Sequence, residues 1–306
     1  MKRSIQKKFR DNIDGWSFVL PAFFFMVAFL IYPLIRTLIL SFQQYNFVYD
    51  EKAIFNGLAN YKNVLSNQVF LKAMGNTFYF AAIYIPLMFI LGFAIGYHFS
   101  RTNIWVPQVS RVVMFIPMVI PVSMSCFMFL FLLNAQYGLV NSVLRNYLQL
   151  PGLAKDWMNT RSLAMNVIIV VTAWQRIGFI ALLFMSGIQS IPNSVIEAAI
   201  IDGANKWQRI TRVILPNMKE TYLVVGMLET VTAIKLFAQV VAMTGSNSPQ
   251  QAGGPANATT TLYVETYKAA FSHFDMGIGA AMGYIVAVII VGLFILNFML
   301  TRTERA

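Results

Sequence analysis

Charge is what this sequence has least of. Asp, Glu, Lys and Arg make up 11% of its 306 residues, against roughly 25% in an ordinary soluble domain. A soluble fold of this length could not cover its surface on that allowance. Cysteine is nearly missing as well: Cys126 stands alone in an apolar run, which excludes a disulfide scaffold and reads as an inert packing residue. Histidine occurs only at His98 and His273, too few and too separated for a metal centre or a Cys/His catalytic pair. No glycine is followed by lysine, so the phosphate-cradling loop of an ATPase is absent and the chain is not expected to be an enzyme. Apolar residues fill 58% of the chain. The expected class is an all-α polytopic membrane protein, because helices satisfy their own backbone in lipid.

Six stretches are long enough to cross a bilayer, which takes about 20 helical residues. They lie at residues 16–42, 76–99, 112–133, 163–188, 221–243 and 276–300. The first follows a basic head but is too long, and too free of small-residue cleavage sites, to read as a cleaved signal peptide. The formal charge is +11. In a soluble protein that excess suggests nucleic acid; here it is tested as topology. With the N-terminus inside, cytoplasmic segments hold thirteen Lys and Arg, namely Lys2, Arg3, Lys7, Lys8, Arg10, Arg101, Arg111, Lys206, Arg209, Arg212, Lys219, Arg302 and Arg305. Outer segments hold seven, and Arg36, Arg176 and Lys235 fall within spans. The positive-inside rule places both termini in the cytoplasm, with the lipid bilayer and not nucleic acid as the partner. Gly92 and Gly96, and Gly279 and Gly283, form small-xxx-small stripes for close helix approach. Pro21, Pro33, Pro86, Pro117 and Pro121 are tolerable in membrane helices.

Residues 191–216, between the fourth and fifth spans, read as two short helices with a sharp turn. Ser194 and Glu197 have the spacing of a capping box that would start the first helix. Gly203 suits the left-handed conformation that ends it. Asn205 and Gln208 cap the second, and Leu215-Pro216 closes it before the fifth span. Two readings stand: a structured interhelical loop, or a docking element for a cytoplasmic partner. The small residues Ala198, Ala199 and Ala204 suit the second, because they let a partner surface approach the backbone.

The run Glu197-Ala198-Ala199, then Asp202-Gly203-Ala204, then Leu215-Pro216 resembles the EAA signature of permease subunits in binding-protein-dependent ABC importers. The sugar (maltose-type) branch is similar along nearly the whole chain. Its marks include Gly57-Leu58-Ala59-Asn60-Tyr61, Gly75-Asn76-Thr77, residues 174–187, Ile234-Lys235-Leu236-Phe237 and Gly253-Gly254-Pro255. The chain departs from that branch at Ala238, Ile210 and Glu220, and in about eight extra residues between Thr244 and Gly253. The resemblance implies a type I ABC importer permease fold in which 1–306 is a single transmembrane subunit. Its ABC transmembrane core would be 72–297, and 191–216 its coupling loop. The implied partners are a second homologous permease, two ABC ATPase subunits and an extracytoplasmic solute-binding protein. ATP and Mg would be bound by the ATPases, with no cofactor in this chain. Glu197, Ala198, Ala199, Asp202, Gly203 and Ala204 would couple to the ATPase.

Arg176 and Glu229 fall well inside the fourth and fifth spans, where a central charge costs roughly 2.5–3.5 kcal/mol on insertion scales. Such residues default to a functional reading, although they also suit a mutually neutralising pair. The resemblance implies that the solute is held by these two helices, at Thr172, Gln175, Arg176, Phe179, Glu229, Thr232, Ala233 and Leu236. The rival class is an ion-coupled secondary transporter, which would need intramembrane acids and internal symmetry. Glu229 is the only clear acid within a span, and no repeat is visible.

Overall fold

The computed structural model describes residues 16, 18–100, 105–245 and 248–302. The basic head 2–10, Arg101 and Arg305, used above for topology, lie outside the described residues. Among the described residues four helices are long and apolar enough to cross a membrane, or six if each of two bent pairs is one span. The chain divides into two units: Met1–Val64 with Ala269–Tyr284, and Leu65–Lys268 with Ile285–Ala306.

In the first unit α1 (Phe18–Ser41) is a full-length span. Its bonding widens over Val27–Ile31, where the Tyr32 amide donates to Val27 O. Pro33 follows directly and has no amide hydrogen to offer. A widened turn is one way a membrane helix re-satisfies the carbonyls around a proline. A short hairpin comes next, β1 (Gln43–Gln44) antiparallel to β2 (Ile54–Phe55). The helix α2 (Ala59–Ser66) then explains one of the family-like motifs. Buried Asn60 donates to Ser41 O at 3.0 Å and Gln43 O at 2.8 Å, and the Tyr61 hydroxyl meets Ser41 Oγ at 2.7 Å. The same unit holds the start of the last helix, whose Tyr284 hydroxyl donates to Leu34 O at 2.6 Å.

The second unit contains α3 (Gln68–Ser100), α4 (Trp105–Val119), α5 (Val122–Leu132), α6 (Ala164–Gln189), α7 (Asn193–Ile201), α8 (Lys206–Arg209), α9 (Lys219–Ile234), α10 (Ala238–Thr244) and α11 (Leu262–Tyr267). It also holds the later part of α12 (Met276–Arg302). The pillar is α6: 61% of its most apolar window is buried, against 22% for α3. Lipid is as apolar as leucine, so this burial stabilises through close packing rather than through escape from water. The Gly92 and Gly96 stripe makes that closeness possible. A Cβ at Gly92 would fall 2.6 Å from Ile180 Cγ2, and one at Gly96 would fall 2.7 Å from Ala181 O. The second stripe is only half used: Gly279 abuts Ala270, whereas Gly283 has open space beside it.

Two expected spans are broken rather than continuous. Between Val112–Val119 and Val122–Leu132 the chain bends by 98°, and between Lys219–Ile234 and Ala238–Thr244 by 40°. The first break has a sequence cause. Pro121 is held at ψ 137 and disfavours helical geometry at the residue before it. The second has no proline or glycine and is held from elsewhere in the fold. Each break frees a carbonyl that hydrocarbon cannot satisfy. Gln175 Nε2 donates to Ile120 O at 3.0 Å, and Thr261 Oγ1 donates to Leu236 O at 2.6 Å. The Gly75-Asn76-Thr77 motif works similarly on the outer loop. Asn76 Nδ2 donates to Asn257 O and Thr260 O, both at 2.9 Å, while Thr77 Oγ1 accepts from the Leu262 amide at 3.0 Å.

Candidate functional site

Residues 191–216 form two short helices joined by a tight turn, and their ends are set by local chemistry. At the turn, Gly203 has φ +77°, a conformation that costs other residues about 1–2 kcal/mol. The Gly203 amide donates to Ile200 O at 3.0 Å and the Ala204 amide to Ala199 O at 2.9 Å, the paired bonds that close a helix C-terminus. Two residues on, Asn205 Oδ1 accepts from the Gln208 amide and Gln208 Oε1 from the Asn205 amide, both at 2.9 Å. The turn is thus pinned from both sides.

Two expectations about this loop need correction. The first helix starts at Asn193 with Pro192 as its cap, and no side chain caps it. With Pro192 as cap the helix starts two residues earlier than a Ser194 cap would start it, so Ser194 is already inside and cannot act as a cap. The second helix does not close at Leu215-Pro216. A widened turn over Ile210–Ile214 carries it through Pro216 to Asn217, and the break falls at Met218. The missing Pro216 amide is absorbed by that wider turn.

The loop presents apolar residues outward. Ile201 is 85% exposed and Trp207 70%, with Val195 and Ile200 also exposed. Glu197, Ala198, Asp202 and Gly203 are exposed, Ala204 is half-buried and Ala199 is buried. On the inner side Trp207, Ile210 and Leu215 join Phe89, Phe93, Tyr97 and Tyr222 around an apolar groove of about 1010 Å³. The loop therefore has one side facing the α3 and α9 helices and another that is exposed among the described residues.

Within the spans, α6 and α9 bring the two charges together. Arg176 Nη2 lies 2.6 Å from Glu229 Oε1, and Arg176 Nε lies 3.3 Å from both carboxylate oxygens. The Tyr84 hydroxyl on α3 donates to Glu229 Oε2. Glu229 is 0% exposed while the Arg176 side chain retains 21%. Sequence reasoning named the pair and missed Tyr84. A signal did exist: the stripe through Gly92, run back at four-residue steps, reaches Met88, Tyr84 and Phe80, all buried. A buried tyrosine on a packed stripe needs a hydroxyl partner.

The eight residues expected to line a path divide by exposure. Thr172, Gln175, Glu229, Ala233 and Leu236 are buried. Arg176, Phe179 and Thr232 remain half-buried. Thr172 Oγ1 is used by its own helix, donating to Ile168 O at 2.7 Å, and Thr232 Oγ1 likewise donates to Leu228 O at 2.9 Å. Gln175 is committed to the α4–α5 break.

Comparison with known proteins fits these elements. Residues 88–305 match the family described as "Binding-protein-dependent transport system inner membrane component". The chain is 30% identical over 298 residues to the probable ABC transporter permease protein YurN of Bacillus subtilis, covering 97% of this chain and 98% of that one. It is 29% identical to the trehalose/maltose transport system permease protein MalF of Thermococcus litoralis, covering 97% of each. It is 26% identical to the lactose transport system permease protein LacF of Rhizobium radiobacter, covering 99% of this chain and 98% of that one. Among solved structures, a chain of a bacterial alginate ABC transporter, crystallised with its alginate pentasaccharide-bound periplasmic protein, has the same fold. The TM-score is 0.81 at 18% identity, over 97% of both chains. The chain belongs to the family of inner-membrane components of binding-protein-dependent transport systems. It is a multi-pass permease subunit of an ABC importer, a transport component with no cofactor or ATPase of its own.

Proposed function

We propose that this permease translocates a sugar or oligosaccharide, delivered by an extracytoplasmic solute-binding protein, by alternating access. It would do so with a second homologous permease and two ABC ATPase subunits, which bind ATP and Mg. The relatives named for trehalose, maltose and lactose support the solute class. The observation that carries the ATP-driven mechanism is the loop 191–216, a turn closed by hydrogen bonds on both sides with Val195, Ile200 and Ile201 exposed. A turn closed on both sides transmits displacement rather than absorbing it, and closure of the ATPases beneath would rock the spans attached to it. Both termini and this loop face the cytoplasm in this reading. Glu197, Ala198, Ala199, Asp202, Gly203 and Ala204 form the contact with the ATPase.

The chain acts as one transmembrane subunit over 1–306, with its core at 72–297. The solute path runs along α6 and α9, past Thr172, Gln175, Arg176, Phe179, Glu229, Thr232, Ala233 and Leu236. Phe179 offers a ring that can stack on a pyranose face, and Arg176 a donor for hydroxyl oxygens. The buried members of the set hold these groups in place. The test is reconstitution of the purified assembly in proteoliposomes, with uptake measured for labelled maltose, trehalose and lactose. Uptake that requires ATP, the binding protein and co-purifying ATPase subunits is the expected result. Uptake by the chain without an ATPase, driven by an ion gradient, would establish the rival secondary-transport reading instead.

A further inference from the structure

We infer that Glu229 is not a ligand of the solute but the residue that positions and neutralises Arg176, so that the site selects uncharged polyhydroxyl solutes over acidic ones. The inference rests on the sugar-import reading above and concerns how that site discriminates. Glu229 is 0% exposed, and both of its oxygens are engaged. Oε1 faces Arg176 Nη2 and Nε, while Oε2 faces Nε and the Tyr84 hydroxyl. No face of the carboxylate is left to meet a solute. Arg176 is different: one edge of its guanidinium, Nε and Nη2, is spent on Glu229, and Nη1 lies on the other edge of a side chain still 21% exposed.

A lone guanidinium binds carboxylates strongly through its two-pronged geometry. Locked against Glu229, this one has its Nε/Nη2 edge occupied, and the pair carries no net charge to draw an anion to the donors that remain. An anionic solute approaching Nη1 also meets the carboxylate directly behind it. A sugar hydroxyl needs only a donor, and Nη1–H supplies one. Half-buried Phe179 and Thr232 lie three residues beyond Arg176 and Glu229 on their helices, close to one helical turn away. Lys235 is exposed at the C-cap of α9, six residues past Glu229 and about 9 Å along the helix. Tyr84 holds Glu229 from the third helix, and so fixes the edge that Arg176 presents.

The experiment uses the whole transporter in proteoliposomes with its binding protein in excess. A panel of maltose, trehalose and lactose is compared with their uronic-acid counterparts, and uptake is divided by the amount loaded on the binding protein. The wild type is expected to prefer the neutral member at least tenfold. Glu229→Gln is expected to cut that preference tenfold or more by admitting the uronate. Arg176→Gln is expected to raise the apparent KM for the neutral sugar without admitting the uronate. Tyr84→Phe keeps the ring and loosens the carboxylate, and is expected to lower the preference two- to fivefold, which serves if Glu229→Gln does not assemble. A merely structural pair would change amounts of assembled transporter but not this ratio. An unchanged ratio in Glu229→Gln, or in Tyr84→Phe where Glu229→Gln does not assemble, with normal neutral uptake, would overturn this inference and leave sugar import standing. A wild type that takes up no saccharide of either kind with ATP would bring down both.

Discussion

Arg176 and Glu229 are unequal partners, and the inequality is measurable. Glu229 is fully enclosed, whereas Arg176 keeps part of its length accessible and can reach toward water. Removing Arg176 leaves a buried carboxylate with Tyr84 as its remaining partner, a loss in the range of about 3–5 kcal/mol for a broken buried pair. Removing Glu229 leaves a cation that can turn outward. Arg176→Gln should therefore lower the thermal midpoint of the detergent-solubilised transporter more than Glu229→Gln does. Equal shifts would mean that the pair is no more enclosed on one side than the other. At the coupling turn the decisive residue is Gly203, at φ +77°. Proline cannot adopt that φ, so Gly203→Pro should leave insertion normal while ATP hydrolysis continues without uptake. A bulky change at Ala199, whose carbonyl closes the turn and whose side chain is buried, should do the same. Wild-type uptake in both variants would remove the docking role from this loop.

The broken spans are held by side chains borrowed from other elements. Gln175 on α6 satisfies the carbonyl freed at the α4–α5 break, and Thr261 satisfies the one freed after α9. An unsatisfied buried carbonyl costs roughly 1–3 kcal/mol. Gln175→Met and Thr261→Val keep volume and remove the donor, so each should destabilise the assembled transporter by about that amount in thermal unfolding. A water that replaces the donor would reduce the shift toward zero, and unchanged melting in both would show that the breaks need no such support. The family-like motifs Gly57–Tyr61 and Gly75–Thr77 act at this scale too. Asn60 and Asn76 each use a single side-chain amide to tie two backbone carbonyls of a neighbouring segment, which suggests a structural reason for their pattern.

For the whole molecule the question is which way it lies in the membrane. With the N-terminus inside, thirteen Lys and Arg would lie in cytoplasmic segments against seven in outer ones, which predicts a cytoplasmic coupling loop. A single cysteine at Gln208, in a Cys126→Ala background, should not react with a membrane-impermeant thiol reagent in intact cells. One at Tyr137, 62% exposed in the opposite set of loops, should react. The reverse pattern would invert the topology and with it the side from which an ATPase could dock.

Much of this protein follows from local chemistry and is legible in the chain. Helical class and approximate spans come from apolar runs, because a backbone in lipid has few ways to satisfy itself. The Gly203 turn and the Asn205–Gln208 cap come from residues whose own side chains and dihedrals decide the matter. The Gly92 and Gly96 approach comes from the stripe they form. What fails is whatever depends on a distant partner. The kink after α9 carries no proline or glycine, and the carbonyl it frees at Leu236 is met by Thr261, 25 positions away. Gln175 also serves the backbone at Ile120, and nothing near position 175 announces that need. Tyr84 joins Glu229 across 145 positions of sequence. Whether two intramembrane charges stand apart or meet is decided by how three helices pack, since only the packed arrangement brings compensating groups within hydrogen-bond range.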